Sequence, residues 1–340
     1  MAAKKVQYSM LELAVVSEGQ NIQQTLHNSL AVAKAAEAAN YNRIWFAEHH
    51  NSENIGSSAT SILIGYVAEN TKSIRVGSGG IMLPNHSPLI IAEQFGTLAH
   101  LYPGRIDLGL GRAPGTDPQT AQAIRTDFTK AAHSFPEEVA KIQQYFSVGN
   151  SQASVRAAIA EGTDVPIYIL GSSTDSAHLA AKYGMPYAFA SHFAASYLPE
   201  ALEIYREEFT PSAVLKQPHT MAGINVFVAD TDEQAQRLFT SLIRMFVGVL
   251  TGARQPLQPP TEMTEELRQL AAHPAMYRML KYSFFGSKQT VKEKIRSFLA
   301  ETALDEVIAV SAVFDINDRL KSVGLFGELM DELNQEFTTS

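Results

Sequence analysis

Cysteine is absent from the 340-residue sequence. Its absence excludes disulfide bonds, thiolate metal sites and a cysteine nucleophile. Basic clusters are also missing, because the longest run of Lys or Arg is the pair Lys4–Lys5. The formal net charge is −8. Nucleic acids and anionic membrane surfaces bind clustered basic faces, so we expect neither as a partner.

Long apolar runs are missing as well. No stretch approaches the roughly 20 residues that span a bilayer, and residues 6–12 are too polar for the apolar part of a signal peptide. The sequence contains no G-x-S-x-G elbow, no P-loop, and no G-x-G-x-x-G that opens a helix after the first strand. Hydrolase, NTPase and Rossmann classes are therefore disfavoured. Because neither a membrane span nor a signal peptide is predicted, we expect a cytoplasmic protein.

The sequence does contain a regular alternation of short β-branched or aromatic runs with helical patterns. This alternation is typical of βα units around a parallel sheet. Eight strands are predicted, at residues 6–16, 43–47, 74–83, 106–110, 166–170, 187–190, 221–228 and 306–313. Eight units favour one closed (β/α)₈ TIM-barrel domain over residues 1–340. Periodicity does not give the strand order, so an open doubly wound sheet remains the alternative.

Two stretches interrupt the alternation. Residues 134–164 are predicted as a helical insertion before strand five. Residues 252–286 separate strands seven and eight, and Pro256, Pro259 and Pro260 break any long helix there. Connections of this length are usually functional lids or disordered segments. We interpret residues 252–286 as a lid over the active site, and a tolerated surface insertion is the alternative.

Functional residues of a barrel lie at the C-terminal ends of its strands. Strand five ends in Gly171-Ser172-Ser173, immediately before a helix that contains Ser176. Free backbone N–H groups, hydroxyls and the helix dipole favour an anion such as phosphate at this turn. Ordinary N-capping is the alternative. Arg112, at the end of strand four, carries a guanidinium that suits either a phosphate or a structural ion pair.

Glycines inside strands often mark the close approach of a ligand. Strand three carries Gly77, Gly79 and Gly80, and strand four carries Gly109 and Gly111. Two neighbouring strands of this kind would leave a flat slot for a planar ring system. The alternative is that the glycines relieve crowding inside the barrel.

Strand two ends in Glu48-His49-His50. This spacing is too compact for a common zinc site, and no second His/Asp cluster accompanies it, so we expect no metal. One interpretation is a structural histidine pair. The other gives one imidazole a role in proton transfer near neutral pH.

At these motifs the sequence resembles the bacterial luciferase-like, flavin-dependent monooxygenases, and in particular their single-chain subgroup of unknown substrate. The resemblance spans essentially the whole chain. The motifs that carry it are WFAEHH (residues 45–50), SGGIMLPNHSP (78–88), AEQF (92–95) and YPGRIDLGLGR (102–112). The resemblance implies a luciferase-like barrel that binds FMN, with reduced FMN as the working form.

By the same resemblance, Arg112, Ser173 and Ser176 correspond to the residues that hold the FMN phosphate. TIM barrels commonly place phosphate nearer their last strands, and residues 286–287, which open the helix before strand eight, are the alternative cradle. The residue-level match favours the turn after strand five, where Gly171 and Ser172 are expected to contribute.

The resemblance also implies that Gly79-Gly80 forms a non-proline cis peptide against the isoalloxazine ring. His49 corresponds to the histidine that handles protons near the flavin. Luciferase has a reactive cysteine immediately before the phosphate arginine, whereas this chain has Gly111. Light emission is therefore not inferred.

The expected activity is oxygenation of a small organic substrate by reduced FMN and O₂, with the reduced FMN supplied by a separate flavin reductase. The expected assembly is a homodimer formed through the helices at residues 58–70 and 88–101. One alternative is hydride transfer that depends on the deazaflavin F420, a cofactor with a longer anionic tail. Another is a flavin-binding protein without turnover.

Overall fold

The computed structural model describes residues 5–253 and 255–339. Its strands are β1 (Gln7–Glu12), β2 (Arg43–Phe46), β3 (Arg75–Met82), β4 (Ile106–Gly111), β5 (Ile167–Gly171), β6 (Tyr187–Phe189), β7 (Thr220–Ala229), β8 (Ser283–Ser287) and β9 (Glu306–Val310). Its α-helices are α1 (Ile22–Ala38), α2 (Thr60–Glu69), α3 (Pro88–Leu101), α4 (Pro118–Ile124), α5 (Phe128–His133), α6 (Phe135–Phe146), α7 (Thr174–Tyr183), α8 (Leu198–Glu207), α9 (Asp232–Thr251), α10 (Glu265–Ala272), α11 (Pro274–Leu280), α12 (Lys288–Thr302) and α13 (Ile316–Thr339). No helix in this part of the chain is long and apolar enough to cross a membrane.

The parallel sheet closes on itself. Strands β1 to β6 pair in sequence order, β6 pairs with β7, and β9 pairs with both β7 and β1. Strands β1 to β7 and β9 therefore form an eight-stranded ring, with helices in the connections. The predicted (β/α)₈ barrel is confirmed, and the open doubly wound sheet is wrong.

Strand β8 lies outside this ring. It pairs with the C-terminal half of β7, at residues 225–229, whereas β9 pairs with β7 at residues 221–225. The strand predicted as the eighth is therefore β9. The stretch 252–286, predicted as an insertion, contains α10 and α11 and most of β8. The sequence analysis missed β8 because its five residues, SFFGS, include a glycine that weakens the strand signal.

A charged cluster fills the N-terminal end of the barrel interior. Nε of Arg43 lies 2.9 Å from Oε1 of Glu306, and its Nη1 lies 2.9 Å from Oδ2 of Asp107. All three side chains are buried. The hydroxyl of Tyr168 bonds to the same guanidinium, and Trp45 Nε1 donates to Asp107. Each buried charge thus has an opposite partner, as burial of charge requires.

Above this cluster the interior is apolar. The apolar group includes Leu11, Trp45, Tyr168, Met221 and Ile308. Successive strand residues face opposite sides, so the next inward positions follow from these. Some strands carry a small residue there, namely Ala47, Gly79, Gly111, Ala190 and Gly223, whereas others carry Leu13, Leu170 and Val310. The space beside the glycines is taken by neighbouring side chains, with Leu11 beside Gly79, Met82 beside Gly111 and His192 beside Gly223.

The outward-facing strand residues pack against the helices. Met10, Ile44 and Phe46 belong to the main hydrophobic core, together with residues of α1, α2 and α13. This core holds the strand ends in place, and the strand ends carry the candidate site.

Candidate functional site

A cavity of about 440 Å³ opens at the C-terminal ends of the strands. Its volume lies within the usual range for small-molecule sites. The predicted site residues that line it are His49, Gly79, Arg112, Gly171, Ser172, Ser173 and Ser176. Gly80 is not among the lining residues. It packs against β4, where an added Cβ would lie 2.7 Å from the carbonyl oxygen of Gly109.

The stretch 252–286 contributes none of the lining residues within its described part, 252–253 and 255–286. It instead returns to the loop after β1, where Leu257 exchanges backbone hydrogen bonds with Val16 and Glu18. Its role as a lid stays a prediction. The residues on the outer side of the cavity come from the segment after β4, where Phe128 and Ala132 of α5 lie at the wall.

The peptide bond between Gly79 and Gly80 is cis, as predicted. A Cβ on Gly79 would lie 2.8 Å from Cδ1 of Leu11 and 2.9 Å from Cβ of Trp45. The apolar interior therefore packs directly beneath this glycine, and its backbone forms part of the cavity wall.

His49 continues the inward-facing series of β2, after Trp45 and Ala47. Its Nδ1 lies 3.2 Å from the carbonyl oxygen of Gly115, and the same oxygen accepts the backbone N–H of His50 at 3.3 Å. Gly115 has a φ of +65°, and a Cβ there would lie 2.5 Å from the Glu48 carbonyl oxygen. Only glycine fits this close approach, which positions the loop after β4 against the histidine pair.

The neighbouring His50 is held away from this position by Glu48. The buried Glu48 carboxylate lies 2.7 Å from His50 Nε2 and 2.9 Å from His86 Nε2, and it accepts the Asn85 amide and the backbone N–H of Met82. Burial favours the neutral acid, but the hydrogen bonds from His50 and His86 outweigh it and lower the pKa of Glu48 to about 2. Glu48 is thus an ionised anchor that holds the loop after β3.

The sequence analysis missed His192, which also lines the cavity. It follows β6 and is 8% exposed. Its ring occupies the space above Gly223 of β7, where an added Cβ would lie 2.5 Å from Nδ1. Its backbone is fixed to β7, because the Asn225 amide donates to the His192 carbonyl oxygen at 2.6 Å. Only the combination of inward alternation on β6 with a glycine on β7 could have indicated this position.

The His192 ring is neutral near pH 7. Burial, and to a smaller extent repulsion from His49, lowers the pKa of His192 to about 3. Its Nδ1 is buried and has no hydrogen-bond partner among the described residues. A buried N–H without a partner is rarer than an unpaired acceptor. We therefore assign the proton of the neutral ring to Nε2.

The turn after β5 has the features of an anion cradle. Ser173 is the N-cap residue of α7, yet its side chain makes no capping hydrogen bond. The Ser176 hydroxyl donates to the Ser173 carbonyl oxygen at 2.8 Å and lies 3.0 Å from the Tyr187 hydroxyl. A Cβ on Gly171 would lie 1.8 Å from Ser176 Oγ. Glycine at 171 therefore allows the serine to turn inward at the start of the helix.

Arg112 lies at the rim of this cradle and is half-exposed. Its Nη2 lies 2.9 Å from Oδ2 of Asp175, in the first turn of α7. The ion pair that was the alternative for Arg112 is present, Arg112 also lines the cavity, and its role at a phosphate stays a prediction.

At the alternative cradle, Gly286–Ser287, a side chain of the protein itself takes the place of a bound anion. The Asp232 carboxylate accepts the backbone N–H of Ser287 at 2.6 Å and the hydroxyl of Thr290 at 3.0 Å. An added Cβ on Gly286 would lie 2.8 Å from the same carboxylate. An internal anion therefore already occupies this helix start. Among the described residues, no group of three or more His, Asp or Glu side chains could hold a metal ion.

Comparison with known proteins gives one consistent family. Residues 6–306 match the family model described as luciferase-like monooxygenase. The chain is 44% identical to a luciferase-like monooxygenase of Escherichia coli (strain K12), over 98% of this chain and 99% of that protein. It is 31% identical to the N-acetyl-S-alkylcysteine monooxygenase of Bacillus subtilis (strain 168), over 92% and 91%. The crystal structure of apo-MsnO8 superposes with a TM-score of 0.87 at 30% identity, covering 96% of this chain and 98% of that one.

Two more distant structures share the fold alone. One is the oxygenating constituent of 3,6-diketocamphane monooxygenase in complex with FMN, at 17% identity and a TM-score of 0.71, covering 95% of this chain and 97% of that one. The other is an F420-dependent secondary alcohol dehydrogenase, at 16% identity and a TM-score of 0.63, covering 96% and 98%.

The low pKa of His192 makes stability depend on pH. Between pH 6.5 and about 3 the His192 ring is protonated in the unfolded chain but stays neutral in the folded chain. Lowering the pH through this range therefore destabilises the folded state. From pH 7 to pH 5 we expect wild type to lose about 2 kcal/mol more unfolding free energy than His192→Gln. Denaturant unfolding at both pH values measures this difference.

The control for this prediction is His27→Gln, which removes an exposed imidazole from α1. If His192→Gln and His27→Gln change the pH dependence equally, the His192 ring is not held neutral by burial.

Proposed function

This chain belongs to the luciferase-like monooxygenase family, and from that premise we propose an FMN-dependent monooxygenase that uses reduced FMN and O₂ to oxygenate a small organic substrate. The observation that carries the proposal is the arrangement of one cavity. Arg112 and the start of α7 lie at its rim, glycines and apolar side chains line its interior, and His49 and His192 lie at its wall.

The residues present fit FMN. The N-cap residue of α7, Ser173, makes no side-chain capping hydrogen bond, so its hydroxyl and the first backbone N–H groups of the helix can face a ligand. Arg112 adds a guanidinium at the same place, so this end of the cavity would hold the phosphate. Gly79 and Gly111 line the cavity, where Leu11 packs beside Gly79 and Met82 beside Gly111. The cavity volume of about 440 Å³ lies within the usual range for small-molecule sites.

When bound, reduced FMN supplies the electrons that activate O₂. The chain's own residues position the reactants and control protons. His49 is placed to donate or accept a proton inside the cavity, since its Nδ1 lies beside the Gly115 carbonyl oxygen and the ring faces inward. His192 presents a neutral ring beside it, and Leu11, Leu13 and Leu170 give the cavity an apolar wall.

The proposed partners are a small organic substrate, O₂ and a separate flavin reductase that supplies reduced FMN. The relative named as an N-acetyl-S-alkylcysteine monooxygenase supports a small-molecule substrate. The supply of reduced flavin by a second protein follows the family resemblance, and the cytoplasmic location stays the expectation from the sequence.

Hydride transfer with F420 is a second candidate because of one specific observation. A second cavity, also about 440 Å³, adjoins the anion cradle and shares Arg112, Ser176 and Asp175 with it. Its wall includes His133 of α5. This space could take a cofactor extension beyond the phosphate. FMN is preferred because one arginine at the rim matches a single phosphate better than a long polyanionic tail.

The first prediction from this function concerns the phosphate. A hydrogen bond to a charged group contributes about 1.5–3 kcal/mol, so Arg112→Ala should weaken FMN binding by about one to two powers of ten. Riboflavin lacks the phosphate and should bind both proteins equally. Fluorescence titration with FMN and riboflavin measures both affinities. Equal losses for the two ligands would remove Arg112 from the phosphate site.

The second prediction concerns the two adjacent histidines. A general acid–base group typically contributes about 10²–10⁴-fold to rate, whereas a neutral hydrogen bond to a ligand is worth only about 0.5–1.5 kcal/mol. His49→Ala should keep near-normal FMN affinity but lose most coupled turnover, so that reduced flavin is oxidised to give hydrogen peroxide. Flavin affinity, O₂ consumption and peroxide yield measure the split.

His50→Ala is the matched control for His49, because His50 is bound to Glu48 outside the inward series. It should change coupling little. If His50→Ala uncouples the enzyme and His49→Ala does not, the role belongs to the neighbouring residue. If both variants stay coupled, the pair is structural, and a flavin-binding protein without turnover becomes the better description.

The third prediction is a homodimer formed through α2 and α3. Of the apolar residues expected there, Leu63, Phe95 and Leu98 are buried in the core of the chain and Tyr66 is partly buried, whereas Ile62 is 71% exposed. Leu101, at the end of α3, is 63% exposed. Light scattering at micromolar concentration should give twice the chain mass, and Ile62→Glu should lower it. Val214→Glu, in a distant exposed loop, is the control, and a monomeric wild type would contradict the proposal.

A further inference from the structure

Arg112 already has an anionic partner before any phosphate arrives. Its Nη2 lies 2.9 Å from Oδ2 of Asp175. Asp175 belongs to the first turn of α7, the same turn whose backbone N–H groups form the cradle. A carboxylate in the first turn also interacts favourably with the helix dipole. The Asp175 carboxylate therefore interacts with both features that attract a phosphate, namely the Arg112 guanidinium and the positive end of α7.

We propose that Asp175 sets the affinity for FMN by competing with its phosphate for Arg112, so that the flavin binds reversibly and is exchanged between turnovers. The inference rests on the proposed function, because it assigns Arg112 and the start of α7 to the phosphate. Asp175 acts through Arg112, and so is a positioning residue.

The exposure of the pair makes competition possible. The Arg112 and Asp175 side chains are 52% and 65% exposed, and ion pairs in such surroundings are weak and screened by salt. A phosphate carries more charge than a carboxylate and can accept two guanidinium N–H groups, so it can displace Asp175. The displaced carboxylate remains on the first turn of α7 and continues to repel the bound phosphate.

The structure also provides space for the displaced side chain. Asp175, Arg112 and Ser176 line the second cavity, which opens on the side of α5 and α6 and is bounded by His133, Phe135 and Pro136. The Asp175 carboxylate can therefore turn away from Arg112 without any movement of α7.

Asp232, the first residue of α9, shows a different use of the same residue type. Its carboxylate accepts a backbone N–H from Ser287 and a hydroxyl from Thr290, and so fills the start of α12. At the start of α7 the Asp175 carboxylate instead bonds to the exposed end of an arginine side chain. An incoming anion can replace the contact between Arg112 and Asp175 if only these two exposed side chains move.

The test compares FMN and riboflavin binding to wild type, Asp175→Asn and Asp230→Asn. Asp230, immediately after β7, is the matched control. It also forms an exposed ion pair, with Lys321 of α13, and its replacement changes the net charge equally. Asp175→Asn should tighten FMN binding about 3- to 10-fold and slow FMN release, with riboflavin unchanged. Asp230→Asn should change neither affinity.

Two further arms test the route through Arg112. Asp175→Glu should restore the weaker binding, because it returns the carboxylate. In an Arg112→Ala background the gain from Asp175→Asn should shrink, because the competed group is gone. Thermal unfolding of each variant checks that the fold is intact.

The opposite outcomes separate this inference from the proposed function. If Arg112→Ala weakens FMN binding but Asp175→Asn leaves it unchanged or weakens it, the competition is overturned and the phosphate site stands. An equal gain for riboflavin would also overturn it, because riboflavin offers no phosphate. If wild type binds neither flavin, the proposed function fails and the inference fails with it.

Discussion

The interior of a closed barrel has to be filled by side chains from alternate strand positions, and the rest of this structure depends on how that is done. The N-terminal end holds the charged cluster around Arg43, and the middle holds large apolar groups such as Trp45. At the C-terminal end several inward positions hold glycine or alanine, and neighbouring side chains such as Leu11 and Met82 pack beside Gly79 and Gly111. The cavity lies above this layer, and the alternation that packs the interior also turns His49 into it.

Much of this was predictable because the signals are local. Strand and helix periods predicted the eight ring strands, and the motifs at strand ends predicted the proposed site residues, all of which line the cavity except Gly80. Strand β8 was missed because it is short, pairs along one side and contains Gly286. His192 and the competing carboxylate of Asp175 were missed because their significance depends on neighbours from other strands. Alternation alone could not tell which of His49 and His50 faces inward, whereas the packing of Trp45 inside the barrel does.

The surroundings of each ionisable residue determine its charge state and its contacts, which the sequence alone does not show. Glu48 is buried among donors and stays ionised, so it anchors the loop after β3. His192 is buried beside another imidazole and stays neutral. Two aspartates lie near candidate cradles, but Asp232 of α9 fills the start of α12, whereas Asp175 of α7 holds an exposed arginine at the rim of the cavity. Of these two helix starts, the start of α7 combines an exposed ion pair with a cavity in the size range of small-molecule sites.

We propose that reduced FMN is the working cofactor of this cavity. The most direct measurement is the rate of O₂ uptake by reduced FMN, and separately by reduced F420, with and without the purified protein. We expect the protein to change the oxidation rate of reduced FMN in proportion to its concentration and to leave reduced F420 unaffected. Turnover with reduced F420, together with no effect on reduced FMN, would contradict it.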